Sequence, residues 1–163
     1  DWCDTDFIGT NGIFGGKYSK ESVAELIKSL WPDNLMDPFL VCTGGEPLLQ
    51  MDDEFIQAIH KVGFEIAIET NGTIIPPKGI DWTCVSPKEN ANFICKQGNE
   101  LKIVYPQIGM DPTQHEGLSF DHFFIQPMDG ARQDENIELA KTFIAKNPKW
   151  ELSLQMHKIW NIP

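Results

Sequence analysis

The sequence predicts an α/β fold with a mostly parallel sheet and few short helices, the sheet being open or curled into a partial, eroded barrel. Short apolar or β-branched runs of strand length recur along the chain, amphipathic helical patterns separate some of them, and polar turns follow most of them. Strands that alternate with helices are joined by right-handed crossovers, which place the strands parallel to each other.

Six runs have the length and composition of β-strands. Each is bounded by Gly, Pro, Asn or Asp, which favour turns. The predicted strands cover residues 39–43, 64–70, 82–86, 101–105, 122–126 and 150–155.

Three amphipathic helices are predicted. The first follows Ser19, a favourable N-cap, and stops at Pro32. The second starts at Asp52 or Asp53 and ends at Gly63, and the third covers about residues 134–147. Because the helices are fewer than the strands, and residues 86–100 show no helical period, an eroded barrel fits better than a regular one.

Composition limits the possible classes of protein. The 163 residues are 41% hydrophobic and 23% charged, which is typical of one globular domain covering residues 1–163. No window approaches the roughly 20 apolar residues that span a bilayer, and the polar start does not resemble a signal peptide, so we expect a cytoplasmic protein. The net charge of -11 disfavours nucleic acid and anionic membranes as partners.

The four cysteines, Cys3, Cys42, Cys84 and Cys95, are expected to be buried thiols or metal ligands in a cytoplasmic protein, not disulfides. Cys42 and Cys84 lie inside apolar runs and are predicted to belong to the core. Cys3 lies in a polar, turn-like context, where an ordinary turn is the simpler interpretation of Cys3 taken alone.

Unusual polar and glycine-containing segments fall at the carboxyl ends of the predicted strands, which is the edge where parallel α/β sheets bind ligands. After Gly44 and Gly45 the bare main chain lets a ligand approach closely. A lone Gly-Gly-Glu-Pro segment is more often a tight turn, but the shared edge favours ligand binding. The segments are residues 43–47, 69–72, 86–88, 126–130 and 155–158.

Cys3-Asp4-Thr5 resembles the end of the cysteine motif of radical S-adenosylmethionine enzymes, and Gly44-Gly45-Glu46-Pro47 is similar to their second signature. The further segments Glu69-Thr70-Asn71-Gly72, Ser86-Pro87-Lys88, Gln126-Pro127-Met128-Asp129-Gly130 and a C-terminal Gln-x-His-Lys extend the resemblance over essentially the whole chain. Together they resemble the 7-carboxy-7-deazaguanine synthases, which implies a barrel of the radical S-adenosylmethionine type.

The resemblance implies a lyase that rearranges 6-carboxy-5,6,7,8-tetrahydropterin to 7-carboxy-7-deazaguanine with loss of ammonia, on the route to queuosine and other 7-deazapurines. It also implies a four-iron, four-sulfur (4Fe-4S) cluster, S-adenosylmethionine and Mg²⁺ as cofactors. An electron donor such as flavodoxin or ferredoxin, and a homodimer, are the implied partners.

Site residues follow by resemblance, position by position. Cys3 is implied as a cluster ligand, Thr5 as a Mg²⁺ ligand through its hydroxyl, and Thr43 and Pro163 as substrate contacts. No residue is expected to be catalytic, because the cofactor carries the radical chemistry. The S-adenosylmethionine contacts are implied at Gly45, Ser86, Pro87, Lys88, Gln126, Pro127, Met128 and Asp129.

Two residues stay secondary. Glu69 is placed to accept from the cofactor, or simply caps a loop. His157 is placed to contact the pterin, but a histidine near a strand end is as often structural.

The sequence departs from the family pattern at its start. The family uses three cysteines for its cluster, and only Cys3 is present. We therefore expect the sequence to be N-terminally incomplete, to lack the first strand and to be inactive alone.

Two alternatives remain. Another radical S-adenosylmethionine enzyme, such as a glycyl-radical activase, would share Cys3 and the segment from Gly44 to Pro47 but lack the C-terminal pattern. A noncatalytic α/β module would bind an anion at Gly44 and Gly45 without iron.

Overall fold

The structure is a computed structural model that describes residues 14–32 and 34–160, without the side chains of His157 and Ile159. The chain forms two compact units. The described residues up to 70, with 75–83, form the N-terminal unit, and residues 71–74 and 84–160 form the C-terminal unit. That these units belong to one domain stays a prediction.

The N-terminal unit contains two parallel strands and two helices. Leu40 lies opposite Ile66 and Cys42 opposite Ile68 in the parallel ladder. The second helix packs on the second strand, and the first helix packs against the second helix. The elements are α1 (Lys20–Leu30), β1 (Phe39–Cys42), a 3₁₀ turn (Pro47–Leu49), α2 (Asp53–Lys61) and β2 (Glu65–Thr70).

Side-chain caps start both helices where the sequence predicts. The Ser22 amide donates to Ser19 Oγ at 3.2 Å, and the Phe55 amide donates to Asp52 Oδ1 at 2.9 Å. Each cap satisfies an amide that has no partner inside the helix. Lys20 Nζ lies 2.6 Å from Asp52 Oδ2, which joins the starts of α1 and α2. Gly63, at φ +94°, terminates α2 as predicted.

The C-terminal unit contains parallel strands covered by a helix. The third strand begins in the N-terminal unit, and its last residues pair in parallel with the fourth, Val85 lying opposite Leu101. Further parallel pairing joins the fourth strand to the fifth and the fifth to the sixth. The elements are β3 (Trp82–Val85), β4 (Gln97–Tyr105), a 3₁₀ turn (Pro112–His115), β5 (Ser119–Pro127), α3 (Gln133–Lys146), β6 (Glu151–Leu152) and α4 (Met156–Ile159).

Apolar side chains from these strands form the core of the C-terminal unit. Leu101, Ile103 and Ile125 are fully buried, because α3 packs on β4, β5 and β6. Trp150 closes the core edge-to-face against Phe123, and its Nε1 donates to Glu116 Oε1 at 2.8 Å. The predicted α/β class with mostly parallel strands is confirmed.

The structure differs from the predicted boundaries in β4, β5 and β6. The fourth and fifth strands begin earlier because backbone pairing, starting with Gln97 opposite Ser119, includes polar residues. β6 ends at Leu152, so the prediction of a strand up to Gln155 is wrong. Residues 156–159 form α4 instead, consistent with the absence of β-branched residues from 152 to 158.

The described cysteines are free thiols. Cys84 and Cys95 are buried, and the Cys95 thiol donates to the Gln97 carbonyl oxygen at 3.3 Å. The core prediction is therefore confirmed for Cys84. Cys42 is only half-buried, because β1 alternates exposed and half-buried residues. Desolvation by burial nevertheless raises the pKa of Cys42 to about 11.

Across the described ranges, no helix has both the length and the apolar character needed to cross a membrane.

Ile103→Ala should lower the free energy of unfolding by about 2–5 kcal/mol, because it removes a fully buried side chain and leaves a cavity. Ile108→Ala is the matched control, since Ile108 is 85% exposed. Urea titration of both variants measures the difference, and equal losses would contradict the assigned core.

Cys42 should resist alkylation at pH 8. At a pH below its pKa of about 11 the Cys42 thiol stays protonated, and only the thiolate attacks the alkylating reagent. Peptide mapping after brief iodoacetamide treatment should show Cys42 modified about a hundredfold more slowly than a free cysteine, with the rate rising toward pH 11. The urea-unfolded protein is the control, and rapid modification of folded protein at pH 8 would show that the thiol is not desolvated.

Candidate functional site

Four of the five predicted ligand segments lie at the carboxyl ends of parallel strands. In the N-terminal unit, residues 43–47 follow β1. Residues 69–72 begin at the end of β2 in the same unit and continue into the C-terminal unit. In the C-terminal unit, residues 86–88 follow β3 and residues 126–130 include the end of β5. The fifth segment, residues 155–158, lies in and before α4 and not at a strand end.

The glycine turn after β1 leaves its main chain open. Gly44 has φ +85°, a conformation that glycine adopts without strain. A Cβ placed on Gly45 would meet no atom within 4 Å. Thr43, the predicted substrate contact, is exposed directly before this turn. The geometry therefore allows a ligand to approach the backbone at Gly45.

Glu46 holds this turn to the end of β2. Its Oε1 accepts from Thr70 Oγ1 at 2.8 Å and from the Leu48 amide at 3.1 Å. Thr70 is buried, so the contact is shielded from water. Sequence reasoning assigned no role to the Glu46 side chain, although its position before Pro47 is the signal of an N-capped 3₁₀ turn. Glu69 is half-buried within β2, and its role as an acceptor stays a prediction.

The turn after β3 places a lysine near the strand end. Ser86 and Pro87 are buried, while Lys88 is half-buried. Lys88 Nζ donates to Ser86 Oγ at 3.1 Å. The three predicted cofactor contacts of this turn are therefore brought together, with the ammonium directed by a buried hydroxyl.

The segment after β5 is fixed from two sides. The Met128 amide donates to the Tyr105 carbonyl oxygen at 2.7 Å, and its own carbonyl oxygen accepts from Asn136 Nδ2 at 2.8 Å. Asn136 is 5% exposed in the first turn of α3. Sequence reasoning missed Asn136, because an isolated asparagine in a helical pattern carries no signal of a contact with the preceding turn.

Asp129 connects this segment to α4. Its carboxylate accepts a charged hydrogen bond from Lys158 Nζ. Gln126 and Met128 are half-buried beside the buried Pro127. The lysine of the C-terminal Gln-x-His-Lys segment thus reaches the predicted cofactor contacts from a helix, although the segment does not end a strand.

The metal contacts cannot be placed in the described part of the chain. Cys3, Thr5 and the substrate contact Pro163 lie outside the described residues, and so does the His157 side chain. Residues 14–32 and 34–160 contain no group of three His, Cys, Asp or Glu side chains that could hold a metal ion. The described thiols of Cys42, Cys84 and Cys95 belong to no such group.

Comparison with known proteins identifies the family, although no family model matches the chain. The chain is 48% identical to 7-carboxy-7-deazaguanine synthase of Bordetella pertussis over 163 residues, covering 99% of this chain and 78% of that protein. It is 47% identical to the Caulobacter vibrioides synthase with the same coverage, and 49% identical to that of Bradyrhizobium diazoefficiens over 96% of this chain and 75% of that protein.

A solved structure supports the fold. The crystal structure of QueE from Escherichia coli matches with a TM-score of 0.62 and 24% sequence identity, over 85% of this chain and 64% of that one. The chain therefore spans less than two thirds of the solved chain, and the likeness concerns the fold. From the identity to the named synthases over nearly its whole length, the chain belongs to the 7-carboxy-7-deazaguanine synthase family.

Proposed function

We propose that the protein converts 6-carboxy-5,6,7,8-tetrahydropterin to 7-carboxy-7-deazaguanine with release of ammonia, in a magnesium-dependent reaction that uses S-adenosylmethionine. The observation that carries the proposal is the 47–49% identity to relatives named for this synthase. Supporting it, both units present their ligand segments at the carboxyl ends of parallel strands. The relatives favour this reaction over that of a glycyl-radical activase and over a noncatalytic module.

The reaction balances with one nitrogen lost. The pterin gives up one ring nitrogen as ammonia while the ring contracts, and no other fragment leaves. When bound, S-adenosylmethionine supplies the radical chemistry. The chain's own residues then bind and orient the cofactor and the pterin, and they exclude water. No protein nucleophile is therefore needed.

The proposed cofactor contacts fit the geometry of each unit. At Gly45 nothing blocks approach to the main chain. In the C-terminal unit, the Lys88 ammonium offers a charged donor to an acceptor oxygen of the cofactor, and Ser86 directs it. Asp129 offers a carboxylate whose charge Lys158 partly compensates. The remaining contacts proposed are Pro87, Gln126, Pro127 and Met128.

The remaining proposals rest on the resemblance. Cys3 is proposed as a cluster ligand and Thr5 as a Mg²⁺ ligand, since a hydroxyl oxygen suits this hard cation. Thr43 and Pro163 are proposed to contact the pterin. An electron donor such as flavodoxin or ferredoxin, and a homodimer, complete the proposal.

The complete gene product should release 7-carboxy-7-deazaguanine and ammonia in equal amounts when it is incubated anaerobically with reductant, S-adenosylmethionine and the pterin. Removing Mg²⁺ should lower turnover.

Thr5→Ala should lower turnover more at limiting Mg²⁺ than at saturating Mg²⁺, when parent and variant have equal iron content, because the hydroxyl is a proposed Mg²⁺ ligand. Absence of the deazaguanine product from iron-loaded protein would refute the function, and identical Mg²⁺ curves would refute the Thr5 assignment.

Lys88→Ala should weaken S-adenosylmethionine binding by roughly 1 to 3 kcal/mol, because a charged hydrogen bond is lost. Isothermal titration of the same gene product measures it. Lys146→Ala is the matched control, since Lys146 is exposed in the last turn of α3. Unchanged affinity in the Lys88 variant would remove this residue from the cofactor contacts.

A further inference from the structure

Gln107 is a buried amide outside every predicted ligand segment. It lies in the loop after β4 and is only 7% exposed. A glutamine is rarely buried unless its polar atoms are paired, because desolvating an amide without a hydrogen bond costs free energy. Its contacts therefore show what the position needs.

Both polar atoms of the Gln107 side chain bond to backbone. Oε1 accepts from the Glu89 amide at 2.7 Å, and Nε2 donates to the Val104 carbonyl oxygen at 3.2 Å. Glu89 directly follows Lys88, while Val104 belongs to β4 and lies opposite Gln126 of β5. One side chain thus joins the turn after β3 to the end of the neighbouring strand.

The turn that Gln107 holds is also shaped by local contacts. Its own backbone bond, from the Ala91 amide to the Lys88 carbonyl oxygen at 3.1 Å, is local. Asn90 stands at φ +60°, a conformation that asparagine tolerates better than most residues. The loop after β4 also approaches this turn, since a Cβ on Gly109 would lie 3.5 Å from Glu89 Oε1. The hydrogen bond from the Glu89 amide to Gln107 Oε1 therefore joins two loops that lie close together.

We propose that Gln107 is a positioning residue for S-adenosylmethionine binding: it fixes the backbone at Glu89 and thereby holds Lys88 beside Ser86 in the orientation that meets the cofactor. The inference rests on the proposed function for the role of Lys88. Gln107 itself does not contact the cofactor and acts through the turn.

Hydrogen exchange without any ligand tests the first step. In Gln107→Leu, which keeps a similar volume but no polar atoms, the Glu89 amide should exchange at least about tenfold faster than in the parent protein, because its acceptor is lost. Gln107→Glu should keep most of the protection, since a carboxylate oxygen still accepts from that amide. Asn147→Ala is the control, because it removes a side-chain amide that bonds to the Phe143 carbonyl oxygen at the end of α3.

If Gln107→Leu leaves the Glu89 amide protected, the turn does not depend on Gln107 and the proposal is wrong. If Asn147→Ala accelerates the same amide equally, the effect is general loss of stability, and the proposal is also wrong.

Affinity measurements with paired variants test the second step. Gln107→Leu should weaken S-adenosylmethionine binding about tenfold, and Gln107→Glu less. Adding Lys88→Ala to Gln107→Leu should weaken binding by no more than about threefold beyond Lys88→Ala alone, because residues that act through one contact are not additive. Full additivity of the two changes would overturn the inference.

The two failures can be told apart. If Lys88→Ala weakens binding and Gln107→Leu does not, the inference fails and the proposed cofactor contact stands. If neither variant changes the affinity, Lys88 is not a cofactor contact, and both the assignment and the inference built on it fail.

Discussion

Parallel strand pairing is the constraint on which the candidate site depends. Parallel neighbours end at the same edge of their sheet, so the turns that follow them are brought together without any contact between the turns themselves. In the N-terminal unit this places the turn after β1 beside the end of β2, and in the C-terminal unit it aligns the ends of β3, β4 and β5. Because the side chains of the strands pack in the core, the polar groups available to a ligand lie in the turns.

Each turn is then fixed by a polar side chain from another part of its own unit. Thr70 holds Glu46 after β1, Gln107 holds the Glu89 amide after β3, and Asn136 holds the Met128 carbonyl after β5. All three anchoring side chains are buried, so each hydrogen bond acts where water competes least, and losing one leaves an unsatisfied partner. The turns that carry Gly45 and Lys88 can thus keep one geometry, and the Gly45 backbone stays open to a ligand.

Local chemistry explains what the sequence predicted well. The caps at Ser19 and Asp52 and the stop at Gly63 involve residues within one helical turn of each other, so the boundaries of α1 and α2 could be predicted. The polar start of β4 could not, because Gln97 belongs to a strand only through its pairing with Ser119. The predicted end of β6 was wrong for the same reason, because pairing of only two residues does not keep the following residues extended. The ligand segments were found because unusual polar residues and glycines follow the predicted strands. Gln107 and Asn136 were missed because their partners Glu89 and Met128 lie 18 and 8 residues away and nothing local marks them.

The net charge of the chain and its local charges have different effects on the proposed ligand. S-adenosylmethionine carries a sulfonium and an ammonium against one carboxylate, so a chain with a net charge of -11 attracts it at a distance. The same negative field would repel the carboxylate of S-adenosylmethionine, and a cation close to the carboxylate is needed to overcome this repulsion. Lys88 and Lys158 supply local positive charge at the strand ends of the C-terminal unit, where both are partly shielded from water. Lys158 Nζ pairs with the Asp129 carboxylate, and Lys88 Nζ donates to the Ser86 hydroxyl. The backbone next to Lys88 is the part that the Gln107 amide holds in place, so the proposed orientation of Lys88 toward an incoming carboxylate depends on this contact.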